Sequence, residues 1–227
     1  MKIEINDVLR PVVRVNSGGS GLLVRAKNNK IYVLTNAHVV EDLVGDENED
    51  YDLKKVPYID IDTFICDKRG KLLAIYSVQS QLIAYDSVSD LAMLTLKGKL
   101  RDEFTVNMPT KTFYKKVSMF DPVLIVGCSL SRPAIPSQGI VSSLNAEHGG
   151  QEYWMTTAPI VVGNSGGGCF KYDEEQNKYI LIGMPTAASS YPNPKDEDSA
   201  QIIPHLNYII PAPKILSFME YVTQLIS

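Results

Sequence analysis

The chain has 227 residues, 44% of them hydrophobic and 21% charged, a composition that supports a globular fold with a sizeable core. Its 22 basic and 26 acidic residues sum to −4 with a sequence pI near 5.4, which excludes a basic nucleic-acid footprint as the main function. No apolar run approaches the roughly 18 residues needed to span a bilayer, so neither nucleic acid nor a membrane is an expected partner. The three cysteines, Cys66, Cys128 and Cys169, form no CxxC pair, and signal neither a disulfide framework nor a zinc ribbon. The opening segment Met1 to Asp7 has no apolar core region and no small-residue cleavage site, the pattern of a chain that stays in the cytoplasm with free thiols.

Strand signals dominate along the chain. Residues 12–15, 21–25, 31–35, 59–66, 72–78, 91–96, 122–126, 139–144, 153–157 and 179–184 are short runs rich in Val, Ile, Leu, Tyr and Thr, separated by Gly, Pro, Asn, Asp or Ser. Some alternate apolar and polar residues, while others are continuously apolar, as strands buried on both faces are. With few helical patterns between them, they argue for an all-β antiparallel barrel or sandwich rather than a parallel sheet. His38 to Leu43 reads as one short helical turn directly after a strand. Over 212–226, Ile215, Leu216, Met219, Val222, Leu225 and Ile226 recur at helical spacing, which predicts an amphipathic terminal helix packed on the β body. The acidic stretch 41–52 lacks the spacing and terminal glutamate of a calcium loop, so it reads as a solvated loop and no metal is expected. Residues 97–121 read as a linker between two β units of comparable size, and 191–198 (YPNPKDED) as a Pro-rich acidic surface loop.

The sharpest chemical signal is Gly163-Asn164-Ser165-Gly166-Gly167-Gly168, lying between apolar runs. Glycines permit positive φ and let successive N–H groups converge beside a serine hydroxyl, so the backbone around Gly163, Asn164 and Ser165 is a candidate oxyanion hole. A serine hydroxyl needs a base, and the chain has three histidines. His148 lies in a polar turn and reads as a hairpin tip. His205 follows Pro204 and reads as an ordinary side chain. His38, at the end of the tetrad Thr35-Asn36-Ala37-His38, stands where a buried strand gives way to a turn. The base in turn needs an orienting acid. Asp90, opening Ser89-Asp90-Leu91-Ala92-Met93-Leu94, is the candidate, with Asp86 as the fallback.

The segments Thr35-Asn36-Ala37-His38-Val39-Val40, Ser89-Asp90-Leu91-Ala92-Met93-Leu94 and Gly163-Asn164-Ser165-Gly166-Gly167 closely resemble, in that order, the motifs of trypsin-like, chymotrypsin-fold serine proteases of the HtrA (Deg) type. Gly18 to Val24 resembles the family's glycine turn before its second strand. Pro136 to Ser142 resembles its TxGIVS hairpin, and Asn207 to Pro211 its late strand. The likeness covers roughly residues 10–225. It implies one peptidase domain over 1–227 made of two six-stranded β-barrels, the first within 1–105 and the second within 106–210, with a C-terminal α-helix over 211–227. It also implies a His38, Asp90 and Ser165 triad, a protein or peptide substrate, and no cofactor. Two departures from the family stand out: Val162 and Gly168 replace prolines before the oxyanion glycine and after the second glycine of the motif. No PDZ-like region follows, so a protease domain alone is expected. Related viral enzymes carry cysteine at the nucleophile position, but here Cys169 lies four residues on and is expected to face the core.

Pro159 stands six residues before the serine, and Ile160-Val161-Val162 leads into the motif. No carboxylate takes the place that pairs with Lys or Arg in trypsin-like enzymes. An apolar pocket built from Pro159, Ile160, Val162, Met184, Thr186 and Ala187 is therefore expected, with broad selectivity for aliphatic P1 residues. The alternative is a protease-fold module that binds peptides without turning them over. An esterase with a nucleophile elbow is disfavoured, because its order places His after Ser.

Overall fold

Several strands are apolar at most positions because they are buried on both faces, one inside a barrel and one against its neighbour. In β1 (Val12–Val15), β2 (Gly19–Arg25), β3 (Ile31–Thr35) and β6 (Leu91–Leu96), residues alternate between two clusters. Val13, Val15, Leu23, Val33, Ala92 and Leu94 belong to one that fills the first barrel. Val12, Leu22, Leu34, Leu91 and Met93 belong to a second. With β4 (Ile59–Cys66) and β5 (Leu72–Asp86), these strands close a barrel in the order β1-β2-β3-β6-β5-β4.

The second half repeats the plan with β7 (Pro122–Gly127), β8 (Ile135–His148), β9 (Gln151–Thr156), β10 (Gly168–Asp173), β11 (Lys178–Asn193) and β12 (Asp196–Pro211), closed in the order β10-β11-β12-β9-β8-β7. Val123, Ile125, Cys169, Ile180, Ile182 and Ile209 fill this barrel. Their neighbours Leu124, Val126, Phe170, Leu181 and Ile210 face the same cluster as Leu22 and Leu34. The two barrels therefore share an apolar seam. The period of two that turns successive side chains to opposite faces is what builds three cores from one set of strands. The C-terminal helix (Ala212–Leu225) carries Pro211 at its N-cap and a proline in its first turn, and it lays Ile215, Met219 and Val222 on the seam.

The computed structural model describes residues 5–16, 18–44, 52–100, 104–193 and 196–226. Parts of the acidic stretch (45–51), of the expected linker (101–103) and of the Pro-rich loop (194–195) lie outside the described residues. The remainder of that loop continues the β11–β12 hairpin, with Tyr191 paired to Gln201 and Asn193 to Asp196.

Twelve strands are described where ten runs were expected, and several are longer. β5 pairs with β4 up to Ser80 and with β6 from Ser80 onward, with a bulge between Leu82 and Ala84. β8 likewise pairs with β7 up to Ile140 and with β9 from Val141 onward, with bulges at Val141/Ser143 and Ser143/Ala146. A strand that turns a barrel corner serves two neighbours and is bent by bulges, and those bulges break the alternation a sequence reading follows. β10 begins on Gly168 at the end of a glycine run, so it reads as loop, and β12 was legible only in its last residues.

Phe170 is fully buried at the seam. Phe170→Ala is expected to cost about 3–5 kcal/mol through lost transfer energy and a residual cavity, read from denaturant unfolding. A cost below about 1 kcal/mol would contradict close packing between the barrels.

Candidate active site

Strands β3 and β6 are antiparallel neighbours with Thr35 opposite Ala92. The residues just after β3 and just before β6 therefore meet at one end of the first barrel. Asn36 is extended (φ −75, ψ 150) and leads into a single 3₁₀ turn over Ala37–Val39 that carries His38, followed by a short helical turn over Glu41–Val44. Asp90 ends the turn between β5 and β6 in the left-handed region, with φ 52, a conformation aspartate tolerates better than most residues. Asp86, the fallback acid, accepts the Ser89 N–H at 3.0 Å, so it shapes the turn that presents Asp90.

His38 Nδ1 lies 3.0 Å from both carboxylate oxygens of Asp90. The His38 backbone N–H donates to Asp90 Oδ1 at 3.1 Å, and the Asn36 amide donates to the Asp90 carbonyl at 2.9 Å. From the second barrel, the Thr186 hydroxyl donates to Asp90 Oδ2. With a carboxylate against Nδ1, the imidazole carries its hydrogen there and presents Nε2 as the acceptor. Burial of the ring disfavours its protonated form, but the hydrogen bond and charge of Asp90, with the Glu41 charge adding, outweigh burial and raise the His38 pKa.

Ser165 sits in the loop before β10. Gly163 and Gly166 have φ of +94 and +82, and a Cβ on Gly166 would stand 2.1 Å from the Ser20 carbonyl oxygen, so only glycine lets the loop approach β2 this closely. Asn164 shapes the turn: its N–H donates to Val161 O at 3.0 Å, and its side-chain oxygen accepts the Val161 N–H at 2.9 Å. Asn164, the middle residue of the expected oxyanion hole, thus has its N–H engaged. Among the described residues, the Gly163 and Ser165 N–H groups donate to no other group. The Ser165 hydroxyl donates to the Thr186 carbonyl at 3.3 Å. Asp90 and Ser165, from different barrels, thus both hydrogen-bond Thr186 of β11.

The profile of the family described as "Trypsin-like peptidase domain" matches residues 19–184. The chain belongs to the trypsin-like peptidase domain family. It is similar to "Serine protease HtrA-like" of Staphylococcus epidermidis, in the strains RP62A and ATCC 12228, at 31% identity over 165 residues in each case, covering 67% of this chain and 24% of each relative. The chain therefore spans about a quarter of the length of these curated relatives.

Of the pocket residues expected of this trypsin-like peptidase domain, Pro159, Thr186 and Ala187 are half-buried and Val162 is 74% exposed. Ile160 instead packs in the second barrel's core, and Met184 is fully buried at the seam. The hydroxyl of Thr186, one of these expected pocket residues, is turned to Asp90. His148 stands at the β8–β9 hairpin end, stacked on Tyr208 with ring centroids 4.8 Å apart. His205 is exposed, with Nδ1 at 3.2 Å from Thr157 O. Cys169 is fully buried, and burial pushes its thiol pKa up. Burial likewise pushes the Cys128 thiol up to about 12, so both stay neutral thiols. No group of His, Cys, Asp and Glu among the described residues forms a metal site, and no described helix is long and apolar enough to cross a membrane.

Sequence reading missed the parts played by Ser20, Asn36 and Thr186. Its available signal was polarity out of place: Ser20 and Asn36 are fully buried polar residues beside otherwise apolar strands, and a buried polar group needs a partner. An imidazole titration by NMR is expected to give His38 a pKa above the ordinary 6.5 or so. Asp90→Asn removes both of the larger raising influences and leaves burial dominant, so the value should fall below 6.5 or so. An unchanged value in the variant would contradict the pairing.

Proposed function

We propose that the chain is a serine endopeptidase that hydrolyses peptide bonds of protein or peptide substrates through an acyl-enzyme on Ser165. The observation that supports this best is Asp90, whose carboxylate faces His38 Nδ1 at 3.0 Å through both oxygens while Thr186 of the Ser165-bearing barrel donates to it. His38 Nε2 is thereby left as a base, and the developing imidazolium has a counter-charge.

For attack the Ser165 hydroxyl leaves the Thr186 carbonyl and donates instead to His38 Nε2, a contact that forms when substrate arrives. As Oγ attacks the scissile carbonyl, its proton passes to Nε2 and the carbonyl electron pair moves onto oxygen. The Gly163 and Ser165 N–H groups receive that oxyanion. Collapse breaks the C–N bond, and the imidazolium gives its proton to the leaving amine. Water, activated by the same Nε2, then attacks the ester, frees the acid product and restores the serine.

Pro159, Val162 and Ala187 form the apolar contact surface for an aliphatic P1 side chain, with Ile160 and Met184 packed in the cores behind them. The substrate backbone adds alongside β11, which pairs with β10 only as far as Gly183 and whose following residues pair with β12 alone among the described strands. The peptide-binding alternative draws its support from the Ser165 hydroxyl, which faces Thr186 and not the imidazole. Turnover decides between the two readings.

Profiling with a P1-varied peptide library is expected to yield cleavage after small and medium aliphatic residues. Ser165→Ala or His38→Ala should each lower kcat by roughly 10⁶, with the double variant scarcely worse. Additive losses would contradict a shared mechanism. Because the active base is the neutral imidazole, kcat/KM should rise with pH through the raised His38 pKa. A flat profile from about pH 5 to pH 9 would rule out a histidine base.

A further inference from the structure

The Gly163 N–H lies in the planar unit it shares with the Val162 carbonyl, that unit is joined at the Gly163 Cα to the unit carrying the Gly163 carbonyl, and both carbonyls are held. The Leu130 N–H donates to Val162 O at 2.8 Å, and the Ser20 hydroxyl donates to the Gly163 carbonyl. The first of these bonds comes from within the second barrel, the other from across the seam. Ser20 is fully buried and spends every polar group at this junction. Its N–H donates to the Ser165 carbonyl at 2.8 Å, its carbonyl accepts from the Thr35 hydroxyl at 2.6 Å, and its Oγ accepts the Cys128 N–H at 2.7 Å while donating to Gly163.

A side chain that only filled the seam would be apolar, like Leu22 and Val24 on the same face of the strand, because burying a hydroxyl costs free energy unless its bonds are made. The loop it holds also needs holding. Gly163, at φ +94, has no Cβ to restrict it, and the adjoining Val162 is 74% exposed. If the Val162–Gly163 unit rotated, the Val162 carbonyl would replace the Gly163 N–H at the position where negative charge develops.

Building on the acyl-transfer reading above, we infer that Ser20 is a positioning residue: from the first barrel its hydroxyl fixes the Gly163–Asn164 peptide unit, the anchor from which the adjoining unit, held by Leu130, turns the Gly163 N–H toward the reacting oxygen. Ser20 touches no substrate and acts through the loop alone.

The test compares wild type with Ser20→Ala, Ser20→Cys and Ser80→Ala. Ser80 is an equally buried serine of the first barrel whose hydroxyl donates to Ile59 O at 2.9 Å, so its variant removes a matched bond that touches no residue of the loop. Reaction with an alkyl fluorophosphonate separates reversible binding of the probe from phosphonylation of Ser165. Ser20→Ala is expected to slow the phosphonylation step roughly 10²-fold with reversible binding unchanged within about twofold, the scale expected when an oxyanion donor is lost or misplaced. Ser20→Cys, with a weaker donor, falls between; should Ser20→Ala not fold, it carries the comparison. Ser80→Ala loses comparable thermal stability and keeps the wild-type rate. Amide exchange over residues 161–167 should quicken in Ser20→Ala and not in Ser80→Ala. A wild-type phosphonylation rate in Ser20→Ala, or an equal slowing in Ser80→Ala, overturns the positioning role while leaving Ser165 as nucleophile. A wild-type chain that takes up no probe overturns the acyl-transfer reading and this inference with it.

Discussion

The arrangement depends on one carboxylate held between two barrels. Asp90 is 17% exposed at its side chain, and a charge so far removed from water must be surrounded by donors. The first barrel supplies the His38 ring and backbone N–H, and the second supplies the Thr186 hydroxyl. Satisfying Asp90 therefore fixes His38 and also fixes how the edge of β11 meets the first barrel. Since the Ser165 hydroxyl donates to the carbonyl of the same Thr186, the proposed nucleophile is registered against the proposed base through a single residue.

The apolar seam makes that registration rigid. Leu22, Leu34 and Met93 of one barrel share a core with Val126, Phe170 and Leu181 of the other, capped by Ile215, Met219 and Val222 of the C-terminal helix. Close-packed interiors tolerate little displacement, so hydrogen bonds that cross the seam keep their geometry. Among the described residues, Arg14, whose guanidinium donates to the Ser131 carbonyl, makes a polar crossing of this largely apolar contact as well as Ser20 and Asp90. Ser20 and Asp90 lie at turns or strand ends, where backbone groups are free to receive them.

Much of this was legible in the residues. The spacing of apolar runs gave β3, β4 and β6 their bounds, because these strands run straight between turn residues. The same reading stopped short on β5, β8 and β11, where bulges at barrel corners shift the register and hide the alternation. The likeness of three short motifs pointed to His38, Asp90 and Ser165, and the family match over residues 19–184 accords with it. The roles of Thr186, Asn36 and Ser20 were hidden because each depends on a contact with a distant part of the chain. Thr186 and Asp90 are 96 residues apart, and Ser20 and Gly163 are 143 apart. Ile160 and Met184 flank the site in sequence, but both side chains pack into the cores, Ile160 from the loop after β9 and Met184 from β11.

The central claim is that Ser165, activated by His38, accepts an acyl group. Mixing the chain with p-nitrophenyl acetate and following nitrophenolate release on the millisecond-to-second scale tests it most directly, with acid quenching and mass mapping of the acetylated peptide. The account predicts a burst close to one equivalent, with acetyl on Ser165 and no burst in His38→Ala. Release without a burst, or acetylation elsewhere that persists unchanged in Ser165→Ala, would contradict it.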